Sequence, residues 1–294
     1  MANQYRNNSP RRRSAPRRRR SSRSSRTVLF TIFAVIAAAA CVYAVRDCSL
    51  HGDSGAKADA KASGAKHYPG LELAKGAPST NTVKEYDGFT VCFNPDNRTS
   101  DWVGWELLES EVSDNVSRTD KFWQDYAVAN CPSPDDYRNS GFDKGHLCPA
   151  ADQKRSASAM SDCFVMTNMT PQAHALNAGA WQTLEKKERL WAQRDSAIVI
   201  VAGPIYTDSD TDRIGKNGVR VPSSFYKVIL APYVESPRAI GFIYPNMKCP
   251  GDMANYAMSV RDVEKITGLD FFSALPDDIE DKVESTFSFT EWNR

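Results

Sequence analysis

The apolar residues of the chain are laid out in two textures. From Val83 onward they come in short runs separated by turn signals. Gly88-Phe89-Thr90-Val91-Cys92-Phe93 alternates like a strand and ends at Asn94-Pro95, and Trp102-Val103-Gly104-Trp105-Glu106-Leu107-Leu108 reads as another. Phe164-Val165-Met166 is a short apolar strand after the loop that begins at Pro149. Ala197 to Ala202 is a buried strand stopped by Gly203-Pro204, and Phe225–Leu230 and Ala239–Tyr244 are two more. Asn177 to Arg194 has a helical period, with Trp181, Leu184 and Trp191 at core-facing spacing; Ser259 to Thr267 is a second helix closed by Gly268. Asp135 to Gly141 is polar and loop-like. No repeat and no regular alternation of strand and helix is visible. The pattern predicts an α+β domain, with helices flanking a largely antiparallel central sheet.

The second texture is continuous. Thr27 to Val45 carries no charge for about nineteen residues, enough to span a bilayer as one transmembrane helix. Before it lies an Arg/Ser/Pro arm, residues 1–26, which cannot bury a core and is expected to be disordered. The positive-inside rule then holds the arm in the cytoplasm and sends the rest across the membrane, as a single-pass anchored, extracytoplasmic domain. A cleaved signal peptide with secretion, or lipidation at Cys41 after Ala-Ala-Ala, are the alternatives. Residues 46–82, rich in Ala, Lys, Gly, Ser and Asp, read as a flexible linker, and His51 and His67 within it as solvated side chains. The globular domain is placed at 83–294.

Charge sharpens this division. Removing the arm's ten arginines from the 37 basic residues leaves 27 against 36 acidic ones, a balance near −9. Wide electrostatic attraction to a polyanion is thereby excluded, and any nucleic-acid contact must be a local groove. Beyond the apolar span lie Cys48, Cys92, Cys131, Cys148, Cys163 and Cys249, an even set that suggests disulfides in an oxidising space. Cys148 with Cys163 is the expected first bridge, because they bracket one loop between strands that should pair. No Cys-x-x-Cys and no close histidine pair supports zinc.

Candidate chemistry concentrates in two stretches. Asp143-Lys144-Gly145-His146-Leu147-Cys148-Pro149 offers an imidazole in a tight turn, with a lysine beside it. Thr167-Asn168-Met169-Thr170-Pro171-Gln172, followed by Asn177, Trp181 and Glu185, offers amide and carboxylate oxygens near a helix start. Phosphodiester hydrolysis needs a base for water and positive charge on the phosphate. His146 titrates in the useful range. Lys144 could bind phosphate, and Asp143 could orient the turn or the substrate-facing side chains. Asn177 offers a neutral oxygen to a hard cation that keeps most of its waters, and Glu185, two helical turns on, could reach the same ion through a water. Read one at a time, these residues are a structural His, a helix cap and a solvated Glu. His174 reads as an ordinary loop histidine.

Taken together, the stretches Phe142–Asp152, Thr167–Gln172 and Asn177–Glu185 closely resemble the DNA/RNA non-specific endonuclease family, the endonuclease G-like nucleases with a ββα-metal (His-Me finger) site. Trp102–Leu107, Val221–Val228 and Ser259–Phe272 look like further parts of the family, so the resemblance runs from about residue 83 to the end. It implies that His146 is the general base and Asn177 the direct ligand of a divalent ion, Mg2+ as a rule, with Mn2+ or another divalent ion as substitutes. It implies that Glu185 acts on the ion through water and that Asn168 sets the geometry of His146 and the metal. Substrates would be DNA and RNA, cut to 5′-phosphate ends. Two departures are visible. Lys144 stands where the family usually has Arg and lacks the planar fork of a guanidinium, and Glu106 stands where some members carry Arg. These motivate the alternative of a non-catalytic, nuclease-like surface module; a phosphodiesterase for a non-nucleic substrate is a third reading. The membrane, through the N-terminal helix, and a second copy of the chain in a homodimer complete the partners considered.

Overall fold

The computed structural model describes residues 68–294; the arm, the apolar span and the linker up to residue 67 lie outside the described residues. Among the described residues no helix is long and apolar enough to cross a membrane. In chain order the elements are β1 (Thr82–Tyr86), β2 (Phe89–Asn94), β3 (Thr99–Leu108), β4 (Asp143–His146), α1 (Ala157–Asp162), β5 (Met169–Gln172), α2 (Gln182–Asp195), β6 (Ala197–Ile205), β7 (Arg213–Ile214), β8 (Val219–Arg220), β9 (Ser224–Ala231), β10 (Arg238–Pro245), β11 (Ala257–Met258), α3 (Val260–Thr267), α4 (Asp277–Ser285) and α5 (Phe289–Trp292). Seven strands make one sheet in the order β1-β2-β3-β6-β9-β10-β11, every neighbour antiparallel. The fold is α+β on an antiparallel sheet, as the apolar pattern predicts.

The central strand β6 is apolar at every position because both faces of the sheet are covered. Along β6, Ile198, Ile200 and Ala202 enter one core with Trp105, Leu147, Trp181 and Leu184, while Val199 and Val201 enter another with Val228, Val263 and Phe271. The period of two thus sorts side chains between two buried layers rather than between core and water. α2 and the β4–β5 pair contribute to the first layer, and α3 and α4 to the second. α3 is bounded as its sequence suggests: the Ser259 hydroxyl accepts from Asp262 N, and Gly268 takes the left-handed conformation at φ 72°.

Four expectations are corrected. The linker ends earlier than residue 82: Leu71 is 1% exposed in the second core, and Lys75 pairs its backbone with Asp270. One large apolar side chain with a place to dock outweighs a flexible-looking composition. Phe164-Val165-Met166 is not a strand. Val165 makes an isolated bridge to Trp123, Met166–Asn168 turns as a 3-10 segment, and pairing starts at Met169. β6 does not stop at Gly203-Pro204 but runs through to Ile205. Its pairing with β3 ends at Val103 with Ala202, so the missing N–H of Pro204 falls where only β9 is alongside. Finally, Cys148 and Cys163 are not bridged; Cys92, Cys131, Cys148, Cys163 and Cys249 are free thiols. The two sulfurs have separate partners, Cys148 Sγ accepting from Gln153 Nε2 at 3.3 Å and Cys163 Sγ donating to Met160 O at 3.2 Å. Burial pushes the Cys163 thiol up to about 12.

The first layer also encloses charge. Lys227 on β9 and Glu188 on α2 have fully buried side chains 2.9 Å apart, and the ammonium lies 4.5 Å from the Trp181 ring. Breaking such a pair strands one charge in the interior. Lys227→Met is expected to cost about 3–5 kcal/mol in denaturant unfolding, and Lys227→Met with Glu188→Met to recover most of it. A double variant no more stable than the single one would contradict this reading.

Candidate active site

The site is assembled on a small strand pair beside the main sheet. Asp143 faces Gln172, Lys144 faces Pro171, Gly145 faces Thr170 and His146 faces Met169. Gly145 has no room for a side chain, since a Cβ would lie 2.5 Å from both Cβ and Oε1 of Gln172. After β5 the chain makes a π turn over Leu176–Trp181, with Gly179 out of helical geometry (φ −112°, ψ −112°), before α2 begins. The regular helix expected from Asn177 is therefore interrupted, and Asn177 and Glu185 are not two α-helical turns apart. Such insertions re-aim side chains at functional sites.

Two hydrogen bonds lock the turn onto the strand pair. Asn177 Nδ2 donates to Asp143 Oδ2 at 2.8 Å, and Trp181 Nε1 donates to the His146 carbonyl at 3.2 Å. The same Asp143 Oδ2 lies 2.8 Å from His174 Nδ1, so the carboxylate ties two side chains of the following turn to β4. His174 is thus more than an ordinary loop residue, although its exposure makes the contact a weak one.

His146 is buried, its ring 5.0 Å edge-on to Phe164 and 5.7 Å from Phe122. Burial lowers its pKa to about 3, with the Arg118 guanidinium acting in the same direction and Asp120 against it. The ring is neutral at any physiological pH, and its buried Nε2 has no hydrogen-bond partner. Because the folded-state pKa lies below the unfolded value of about 6.5, this histidine favours folding above that pH, and the advantage is lost as pH falls toward 3.

Cations stand on the same side. Lys144 and His146 share one face of β4, and the Lys144 ammonium sits 4.8 Å over the Phe122 ring that also meets His146. Arg118 lies 5.0 Å over Phe164 and binds Asp120 through Nε at 2.6 Å. Sequence reasoning missed Arg118; its only signal is a run of charges ending in Phe122-Trp123, outside any periodic element. Glu106 is on the opposite face of β3 from Trp105 and Leu107, with Oε1 accepting from the Tyr233 hydroxyl at 2.8 Å. An acid there does not face the strand pair.

Asn168 is wholly buried and acts on the backbone. Its Oδ1 accepts from Cys148 N at 2.9 Å, and its Nδ2 donates to Cys148 O at 2.9 Å and Cys163 O at 2.8 Å. It staples the loop that follows His146 to the turn that precedes β5. Glu185, half-buried one turn into α2, is raised to about 7 by burial, against the pull of Lys227 and with the push of Glu188 and Asp152. Arg189 turns to the buried Asp152 at 2.8 Å. The pair of strands with a helix docked across it, a neutral buried imidazole and two neighbouring cations form a site suited to anionic substrates.

The sequence profile of the DNA/RNA non-specific endonuclease family matches residues 71–278. The chain belongs to this family. It is 33% identical over 221 residues to mitochondrial nuclease EXOG of Xenopus laevis, covering 69% of this chain and 62% of that protein. It is 32% identical to human mitochondrial endonuclease G, covering 68% of this chain and 73% of the relative, and 32% identical to nuclease C1 of Cunninghamella echinulata var. echinulata, covering 69% and 88%. The EXOG relatives of Xenopus laevis and Danio rerio are thus matched over 62% and 60% of their own length. Among solved structures, endonuclease G in its complex with the inhibitor EndoGI superposes with a TM-score of 0.63 at 26% identity, covering 68% of this chain and 89% of that one. The family's match begins at Leu71, the first buried residue among the described part of the segment read as linker.

Replacing Asn168 by Ala removes three buried hydrogen bonds at once. At about 1 kcal/mol each, Asn168→Ala is expected to lose about 2–4 kcal/mol in equilibrium unfolding, while Asn168→Asp retains only the bond accepted from Cys148 N. Unchanged stability in Asn168→Ala would show that the staple is not needed.

Proposed function

We propose that the chain is a metal-dependent endonuclease that hydrolyses phosphodiester bonds of both DNA and RNA to 5′-phosphate ends. The observation that carries this is the buried, neutral His146 with an unsatisfied Nε2, flanked by Lys144 and Arg118. The two cations receive the phosphate. Arrival of that anion raises the proton affinity of the imidazole beside it, so the base strengthens when substrate is bound. His146 then takes a proton from the attacking water as its oxygen bonds to phosphorus and the bond to the 3′ oxygen breaks. Trp181 and Asn168 hold the His146 turn in place throughout.

The residues present fit a hard divalent cation. Donation by Asn177 Nδ2 to Asp143 leaves the amide oxygen as a neutral acceptor, and Glu185 supplies a carboxylate whose pKa burial raises to about 7. Asn177 would hold such an ion, with Glu185 as its second partner, and the ion would supply positive charge to the phosphate and the leaving oxygen. Magnesium is the expected ion. Beyond the described residues, the arginine arm and the apolar stretch 27–45 support anchoring in a membrane with the nuclease on the extracytoplasmic side.

Plasmid DNA and a structured RNA, incubated with the full chain in Mg2+ or EDTA, test this reading. Cutting of both in Mg2+ and of neither in EDTA is expected. His146→Ala is expected to lose at least about a hundredfold in rate, and Arg118→Ala about ten- to a hundredfold in kcat/KM, the worth of a hydrogen bond to a charged group. Binding of nucleic acid without cleavage at any pH would favour the non-catalytic module instead.

A further inference from the structure

On the face of the sheet away from His146, three carboxylates converge. Glu264 comes from α3, Asp270 from the turn after Gly268, and Glu284 from α4; one oxygen of each lies within 4.8 Å of the others. That span is about the separation of two oxygens across a calcium ion bound at 2.3–2.6 Å. The positions are held by the backbone: Glu264 Oε1 accepts from Phe271 N at 2.9 Å, and Asp270 exchanges backbone bonds with Lys75 at 2.8 and 3.1 Å.

The second observation is a buried acceptor without a donor. Glu284 is 4% exposed, its Oε1 receives no hydrogen bond from an N–H or hydroxyl, and the side chain that meets it is the Glu264 carboxylate. Its Oε2 accepts from Arg261 at 3.2 Å, but that guanidinium is shared with Asp281 at 2.8 Å. Glu280 adds a further negative field on Glu264 and Asp270. Carboxylates without His or Cys select a hard cation over a transition metal.

We propose that Glu264, Asp270 and Glu284 bind a calcium ion that ties the C-terminal helices to the segment around Lys75. The site stands on the second buried layer, with Val260, Val263 and Val283, whereas Leu147 and Trp181 are in the first. Its effect is therefore on stability rather than on the chemical step. The ion neutralises the buried carboxylate and adds α4 to stretches already joined by the Phe271–Glu264 and Asp270–Lys75 hydrogen bonds, where α4 is otherwise held by apolar packing and Arg261.

Calorimetric titration and thermal unfolding of the EDTA-treated full chain test the site. Asn177→Ala is used as the background, so that a cation at the nuclease centre does not contribute. Calcium is expected to bind with a stoichiometry of one and to raise Tm by about 5 °C or more at a hundredfold excess over Kd. Adding Asp270→Asn, or separately Glu264→Gln, is expected to abolish both signals. Absence of saturable binding in the background chain, or a calcium-dependent rise in Tm that survives both substitutions, overturns the proposal and leaves a proton shared between Glu264 and Glu284 as the means of neutralising the cluster.

Discussion

The active centre depends on a docking constraint. A helix start must be held against a short strand pair so that the turn carrying Asn177 stays fixed relative to the backbone of His146. The indole of Trp181 does this from the buried side, by donating to the His146 carbonyl, and the Asn177 amide does it from the open side, by donating to Asp143. Neither bond is strong alone. Trp181 is also packed against Phe225 and under Lys227, so its position is set by the main sheet. Through that side chain the geometry of the strand pair is tied to the core of the domain.

The same burial that fixes the site governs its electrostatics. Phe122 and Phe164 strip water from His146 and at the same time form the surfaces over which Lys144 and Arg118 rest. In the free protein desolvation, with the Arg118 guanidinium acting in the same direction, keeps the imidazole unprotonated. A bound phosphate reverses the local field. The acidic balance of the chain beyond the arm coexists with a local concentration of positive charge, since Lys144 and Arg118 rest on the two rings that bury the imidazole.

Much of this was legible from residues with a single physical role. The apolar runs at 197–202, 225–230 and 239–244 were recognisable because both faces of the sheet are covered, Lys227 being the single charge among them. The family itself was legible in the motifs around His146, Asn177 and Glu185. Other features depend on contacts distant in sequence. Arg118 sits in an irregular segment and meets His146 only through the folding of Phe164 beneath it. The π turn at Leu176–Trp181 keeps the helical apolar spacing while shifting the register of Asn177. Cys148 and Cys163 bracket a loop as a disulfide would, yet the Asn168 amide occupies the role of the cross-link. Glu106 looked like a lost cation because its face of the strand could not be assigned to a layer from sequence alone.

The direct test of this account is the ionisation of His146 in the free protein, followed by 15N-detected NMR of the imidazole over a range of pH. A ring that stays neutral to about pH 4 and shifts its titration upward when a phosphate-bearing oligonucleotide binds is the predicted result. Titration near the ordinary value of about 6.5, insensitive to the oligonucleotide, would contradict it.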